Sequence, residues 1–175
     1  EKTVARLAQS WHVFQVVYDG HEPSYPGDFT SVEQTVDEIT DYLRAQGVTC
    51  LDAAYGCSLG GACLTRLLAL GELPVKRAII DGGITHAGVA ERVCAQMHVH
   101  VPIFGMVKDD RHRTRALVTA QGREIDLHAA PNVFALIGQI QEETHRFAIT
   151  FHHESHSRSS TRSALDGIPG VGKVR

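Results

Sequence analysis

The chain contains one short motif that places a nucleophile at a sharp turn. Gly56, Ser58 and Gly60 form a G-x-S-x-G pattern directly after a predicted strand, residues 51–55, and directly before a predicted helix, residues 59–70. A nucleophile elbow needs this context, because the turn exposes the serine hydroxyl while the glycines let strand and helix approach closely. A glycine-rich turn of any doubly wound sheet, with an incidental serine, is the alternative interpretation.

A dense basic cluster follows the predicted strand 102–107. Its members are Lys108, Arg111, His112, Arg113 and Arg115, broken only by Asp109 and Asp110. Such a cluster can neutralise backbone phosphates and position a nucleic acid without reading its sequence. A solvated loop is the alternative interpretation of the same charges.

Around these residues the apolar pattern predicts alternating strands and helices. Ser31 is a candidate N-cap for a helix that ends before Gly47, with apolar residues at helical spacing. The other predicted elements are strands at 13–18, 51–55, 77–80 and 102–107, helices at 59–70 and 86–97, a hairpin around Gln121-Gly122, and a long helix from Pro131. This order predicts an α/β fold with a mainly parallel sheet and flanking helices.

Composition is that of an ordinary soluble protein, with 43% hydrophobic and 21% charged residues among 175. No apolar run approaches the roughly 20 residues that a membrane helix needs, and no signal peptide pattern precedes the first strand. Four cysteines without a C-x-x-C pair indicate reduced thiols. We therefore expect a cytoplasmic protein.

The net charge of −3 is the sum of two unlike halves: the N-terminal half is acidic, and the C-terminal half is basic and rich in histidine. This asymmetry suggests that the two halves have different roles.

Residues from about 81 to 175 closely resemble the nuclease region of the excinuclease C (UvrC) family. The resemblance begins at Ile80-Asp81-Gly82-Gly83 and is strongest in the strand and basic segment from Val101 to Leu117. Further matches follow in the family's order: Gly122 to Ile125, Val133 to Ile137, Gln141 to Ile149, and Leu165 to Gly172, the last of which looks like the hairpin of a helix-hairpin-helix.

The resemblance implies an RNase H-like fold and metal-dependent phosphodiester incision in nucleotide excision repair. Asp81 matches the Asp of the family's D-G-G motif and His145 its catalytic His, so both are expected metal ligands for Mg or Mn. DNA and UvrB are the implied partners. The expected DNA-binding residues are Lys108, Arg111, His112, Arg113, Arg115, Arg146, Gly170, Gly172 and Lys173.

Residues from about 10 to 85 resemble instead an α/β-hydrolase around its nucleophile elbow. By this resemblance Ser58 is the nucleophile of a serine esterase and the Leu59 N–H is half of an oxyanion hole. No acid and His in the family's order follow, and a serine without a base is a poor nucleophile.

The two resemblances predict a chimera with its seam between Ala78 and Gly83. The expected domains are a hydrolase-like fragment at 1–83, the RNase H-like nuclease part at 78–153, and a linker with a truncated helix-hairpin-helix at 154–175. Compared with the family, we expect the chain to lack another metal-binding Asp from an earlier strand, the GIY-YIG-type nuclease half, the UvrB-contacting segment and the second hairpin. We therefore expect cleavage to be lost or weak, and three interpretations stay open: an excinuclease-like DNA-binding nuclease, a serine hydrolase fragment, and a non-functional chimera.

Overall fold

The computed structural model describes residues 2–20, 27–110, 114–126 and 135–141 of the chain. Its elements in chain order are α1 (Lys2–Leu7), α2 (Val32–Ala45), β1 (Ala54–Cys57), α3 (Leu59–Leu70), β2 (Ala78–Asp81), α4 (Gly83–Gln96), β3 (Ile103–Lys108), β4 (Thr114–Thr119) and β5 (Glu124–Asp126). Residues 135–141 are also helical. No helix in this described part is long and apolar enough to cross a membrane.

The five strands form one mixed sheet whose order, β1-β2-β3-β4-β5, is that of the chain. β1, β2 and β3 are parallel, which confirms the α/β units predicted between residues 51 and 107. β4 and β5 add antiparallel strands, so the sheet is mixed rather than mainly parallel. The predicted hairpin around Gln121-Gly122 is confirmed as the connection between these two strands.

Helix α2 forms where the sequence gives it an apolar face and an N-cap, whereas α3 and α4 begin without a side-chain cap hydrogen bond. Val36, Thr40 and Leu43 are buried along one side of α2 at helical spacing. The Ser31 hydroxyl accepts a hydrogen bond from the Gln34 N–H at 3.1 Å, which satisfies a free donor of the first turn as predicted. α3 ends at Gly71, whose φ of 64° provides a left-handed C-cap.

The core lies on both faces of the sheet. On the helix-covered face, Val36, Leu68, Ala78, Ala87 and Cys94 belong to one buried cluster, which α2, α3 and α4 build against the sheet. On the opposite face Met106 and Leu117 pack against Ile137 of the helical residues 135–141. Because side chains alternate along a strand, β2 contributes Ala78 and Ile80 to the first cluster and Ile79 to the second.

Two expectations about the chain's local structure were wrong. Residues 13–18, predicted as a buried strand, pair with no strand of the described sheet, and Val16 is 43% exposed. Their apolar side chains line a groove against α2 instead. Arg115, predicted in a basic loop, lies within β4, because β4 starts at Thr114 and pairs back onto β3.

The turn at Ser58 should be strained, since its φ is 52° and its ψ −122°, a region that glycine adopts freely and other residues do not. Strain of this kind costs about 1–3 kcal/mol, against about 0.5–1 kcal/mol for the extra unfolded-state entropy of glycine. We therefore expect Ser58→Gly to raise the free energy of unfolding by about 1 kcal/mol in urea denaturation. Ser58→Ala, which removes only the hydroxyl, should give no such gain. A less stable glycine variant would contradict this account.

Candidate active site at the carboxyl edge of the sheet

Three side chains from successive parallel strands meet at one edge of the sheet. Cys57 ends β1, Asp81 ends β2 and Lys108 ends β3. Cys57 and Asp81 are register partners across the β1–β2 pair. Strand alternation places all three on the face of the sheet that carries Met106, opposite to α3 and α4.

The Asp81 carboxylate is the centre of this group. Its side chain is only 5% exposed, and the Lys108 ammonium lies 2.9 Å from its Oδ1. The same ammonium donates a hydrogen bond to Oδ2 at 3.2 Å. Oδ1 is buried and makes no hydrogen bond with the described residues, so its contact with Lys108 is an ion pair without hydrogen-bond geometry. Within the described part of the chain, Lys108 therefore balances the negative charge of Asp81 from one side.

Cys57 holds the other side of the carboxylate. Its thiol donates a hydrogen bond to Asp81 Oδ2 over 3.4 Å. Burial, and after it the charge of Asp81, raise the pKa of the Cys57 thiol. The thiol therefore stays protonated at neutral pH and acts as a donor that orients the carboxylate.

Two glycines allow the backbone around Asp81 to pack this closely. Gly83 starts α4 with φ 61°, and a Cβ at Gly105 of β3 would lie 2.2 Å from the Gly83 carbonyl oxygen. Any side chain at Gly105 would therefore push β3 away from the start of α4. The D-G-G sequence thus serves packing here as well as chemistry, because it lets the first turn of α4 lie directly on the neighbouring strand.

An open cleft of about 740 Å³ lies in front of these residues. Its lining is mixed in polarity and comes from the ends of β1, β2 and β3 and from the hairpin: Cys57, Ser58, Asp81, Gly82, Gly83, Ile84, Thr85, Met106, Val107, Lys108, Val118, Gly122 and Glu124. In open α/β sheets ligands bind outside the carboxyl ends of the strands, which is where this cleft lies.

The structure brings only part of the predicted site together. Asp81 and Lys108 are in direct contact, whereas Arg115 points to a different partner and pairs with Glu124 of β5 at 2.7 Å. The remaining predicted residues lie outside the described part of the chain: Arg111, His112, Arg113, His145, Arg146, Gly170, Gly172 and Lys173.

Cys57 is the site residue that sequence reasoning missed. Its sequence context indicated only a reduced thiol, and we assigned a chemical role to its neighbour Ser58 instead. The register of two parallel strands that end at the same edge could have pointed to it, since Asp81 directly follows one predicted strand and Cys57 lies two residues beyond the other.

The predicted elbow at Ser58 is formed, with a sharp turn between β1 and α3. A Cβ at Gly56 would lie 2.4 Å from the Gly60 carbonyl oxygen, so the close strand–helix approach expected of these glycines is real. However, no histidine is among the described residues that line the cleft with Ser58. Ser58 therefore has the backbone of a nucleophile without a general base from this part of the chain.

The described residues supply part of a site for the metal that the family resemblance implies. Within the described ranges, no group of three or more His, Cys, Asp or Glu side chains is arranged to hold a metal ion. Magnesium can nevertheless bind through one or two carboxylates completed by water and substrate phosphates. A buried Oδ1 that makes no hydrogen bond to any described residue and lies beside an ammonium fits a cation of this kind. Asp81 thus fits as one ligand of an incomplete site.

Comparison with known proteins places most of the chain in one family. The profile described as "UvrC RNAse H endonuclease domain" matches residues 22–149. Among curated relatives, the UvrABC system protein C of Thermoanaerobacter sp. (strain X514) is 51% identical over 96 residues, which are 55% of this chain and 15% of that protein. The proteins of the same name from Caldicellulosiruptor saccharolyticus and Clostridioides difficile are 42% and 38% identical over 111 and 110 residues, each 63% of this chain and 18% of theirs.

The family profile runs without a break through residues 78–83, where a change of family was expected. It includes most of the region that resembled an α/β-hydrolase, and the comparisons give no support for a hydrolase half or for a chimera. The match also starts well before residue 81, where the resemblance was expected to begin. The chain spans less than a fifth of the length of the curated relatives it matches.

The ion pair at Asp81 predicts a cost for removing its cation. Lys108→Met leaves a carboxylate that is 5% exposed without a counter-charge, and because Lys108 itself is partly exposed we expect a loss of about 1–2 kcal/mol in the free energy of unfolding. In an Asp81→Asn background the same substitution should cost much less, which a double-mutant cycle in urea measures. Lys76→Met, which breaks the exposed pair with Asp52, is the matched control and should change stability little. Equal losses at Lys108 in both backgrounds would contradict the pairing.

Proposed function

Because this chain belongs to the family of UvrC RNase H endonuclease domains, we propose that it binds DNA across the carboxyl edge of its sheet and promotes metal-dependent incision of a phosphodiester there. The observation that carries the proposal is the buried Asp81 carboxylate, paired with Lys108 and open to a cleft at that edge. The relatives are named as protein C of a UvrABC system, which supports nucleotide excision repair as the setting.

The basic segment of the sequence that begins at Lys108, on the cleft, supports DNA as the ligand. Lys108 is the first residue of the basic segment that continues with Arg111, His112 and Arg113. Cationic side chains of this kind neutralise phosphates and release counterions, which gives affinity without sequence readout. Arg115 is half-exposed on β4 beside Glu124, so we assign it a peripheral contact with the DNA backbone.

We assign Mg or Mn as the metal and Asp81 and His145 as its protein ligands. The helical residues 135–141 come close to this edge, since Thr114, the register partner of Lys108, donates a hydrogen bond to Gln141, and His145 follows Gln141 by four residues. Such an ion activates water and stabilises the leaving oxygen of the phosphodiester when bound. The chain's own residues orient the carboxylate through Cys57 and balance its charge through Lys108.

The remaining assignments extend the family relationship to the end of the chain. The nuclease part was expected at residues 78–153. Because the family profile begins at residue 22 and β1 contributes Cys57 to the site, we propose that the nuclease part spans residues 22–153 and that residues 154–175 add a separate, non-specific DNA contact. In that segment backbone N–H groups at Gly170 and Gly172, beside Lys173, would meet a phosphate. Arg146 would contact the DNA backbone next to His145. We also propose UvrB as a protein partner and the cytoplasm as the location; copurification with UvrB tests the first.

DNA binding should weaken steeply with salt, because phosphate contacts dominate it. In fluorescence anisotropy with a labelled duplex, the double variant Arg111→Ala/Arg113→Ala should lose roughly tenfold or more in affinity, and the slope of log K against log salt should fall by about two. Arg44→Ala/Lys76→Ala removes two cations that pair at a distance from the cleft, with Glu72 and Asp52, and should bind like wild type. A DNA affinity that does not change with salt concentration, or an equal loss of affinity in the two double variants, would refute the proposal.

Incision should depend on metal and on Asp81. We expect slow nicking of supercoiled plasmid in MnCl₂, abolished by EDTA and reduced to the buffer background in Asp81→Asn and in His145→Ala, because each removes a proposed metal ligand. Asp52→Asn, an exposed carboxylate before β1 begins, is the control and should keep the wild-type rate. Nicking that persists in Asp81→Asn would place the activity elsewhere.

A further inference from the structure

We propose that Lys108 is an internal counter-cation that competes with a divalent metal for Asp81 and moves to a DNA phosphate when DNA binds, so that DNA and metal bind cooperatively. This inference rests on the proposed function and deepens it. It assigns to Lys108 a role beyond simple phosphate contact: control over when the carboxylate becomes available to a metal.

The first step is that Lys108 and a metal ion would bind at the same place, beside the Asp81 carboxylate. The ammonium contacts both carboxylate oxygens, at 2.9 Å and 3.2 Å. Cys57 takes a further position on Oδ2, and little of the Asp81 side chain reaches solvent. A second cation at this carboxylate would lie within a few ångströms of the ammonium, where like charges repel strongly at the lower effective dielectric of a protein edge. A metal therefore binds Asp81 at the expense of Lys108.

The second step is that Lys108 can leave without disrupting the fold. Its side chain is 32% exposed, against 5% for Asp81, so the ammonium lies at the boundary with the cleft. It occupies the last position of β3, where the register with β4 shifts between Val107 and Lys108. Such irregularities commonly re-aim a side chain next to a site. Rotation about the lysine side chain then carries the charge toward the cleft while the β3 backbone stays paired.

The third step is what the carboxylate does after Lys108 moves. A buried carboxylate without a partner is costly, so in the free protein Lys108 stays on Asp81. A phosphate in the cleft offers the ammonium an alternative anion, and the Cys57 thiol keeps the carboxylate oriented after the exchange. The freed charge then attracts the metal. Because coupling between two ligands is reciprocal, the metal strengthens DNA binding by the same factor.

The test measures Mn²⁺ affinity directly, by electron paramagnetic resonance of free Mn²⁺, with and without a short duplex DNA. In wild type we expect DNA to tighten Mn²⁺ binding at Asp81 by about tenfold, a coupling within the usual allosteric range. Asp81→Asn with the same DNA gives the Mn²⁺ that DNA binds by itself, which is subtracted. In Lys108→Met, Mn²⁺ should bind about tenfold more tightly without DNA, and the coupling factor should fall toward one.

Two variants serve as checks on folding and on charge. Lys108→Gln keeps the length and a hydrogen-bond donor, so it preserves the fold if Lys108→Met does not, and it should show the same loss of coupling. Lys76→Met removes one lysine charge from the exposed pair with Asp52 and should change neither Mn²⁺ affinity nor coupling.

The outcomes separate this inference from the function on which it rests. Unchanged Mn²⁺ affinity in both Lys108 variants, or a coupling factor equal to that of wild type, overturns the competition. Failure of the wild-type chain to bind DNA overturns the proposed function instead, while the metal affinities of the Lys108 variants without DNA still decide whether Lys108 and metal compete.

Discussion

The parallel pairing of β1, β2 and β3 is the constraint on which the remaining structure depends. It brings Cys57, Asp81 and Lys108, separated by 24 and 27 residues, to one edge and one face. The pairing in turn needs both connecting helices to lie close against the sheet. At the start of α4 that closeness is possible only because Gly105 presents no side chain to Gly83. A carboxylate held between a thiol and an ammonium is therefore a product of sheet geometry rather than of any local motif.

Much of the helical structure follows from the sequence, because its signals are local. Ser31 caps α2 as its position predicts, and α3 spans the predicted residues 59–70 and ends at Gly71. Strand pairing is not local, and there the prediction was weaker. Residues 13–18 have the apolar composition of a strand, yet they line a groove against α2 and pair with no strand of the described sheet. Arg115 belongs to a charged segment of the kind that is common in loops. It is nevertheless in an extended strand, because β4 pairs with both β3 and β5. The contact between Cys57 and Asp81 depends on the register of β1 and β2, so the residue types alone did not predict this contact.

The N-terminal half of the chain shows that a local conformation shared by many folds can suggest the wrong family. A strand, a sharp glycine-flanked turn and a helix satisfy the same steric needs in many doubly wound sheets, and the turn at Ser58 meets them with a positive φ. This resemblance describes a conformation that is present in the structure. It does not identify a family, because the chemistry of a hydrolase needs a base that the described cleft does not supply. The family profile that begins at residue 22 assigns the same turn to an RNase H-like domain.

The strand order of the sheet equals the order of the strands in the chain. Each new strand can therefore add to an edge that already exists, without threading between strands formed earlier. During synthesis from the N-terminus, β2 can join β1 as soon as α3 has emerged, and the cluster around Asp81 closes when β3 arrives. The hairpin of β4 and β5 then pairs with the open edge of β3. Cys57, Asp81 and Lys108 are therefore together before β4 covers that edge and protects it from pairing with other chains.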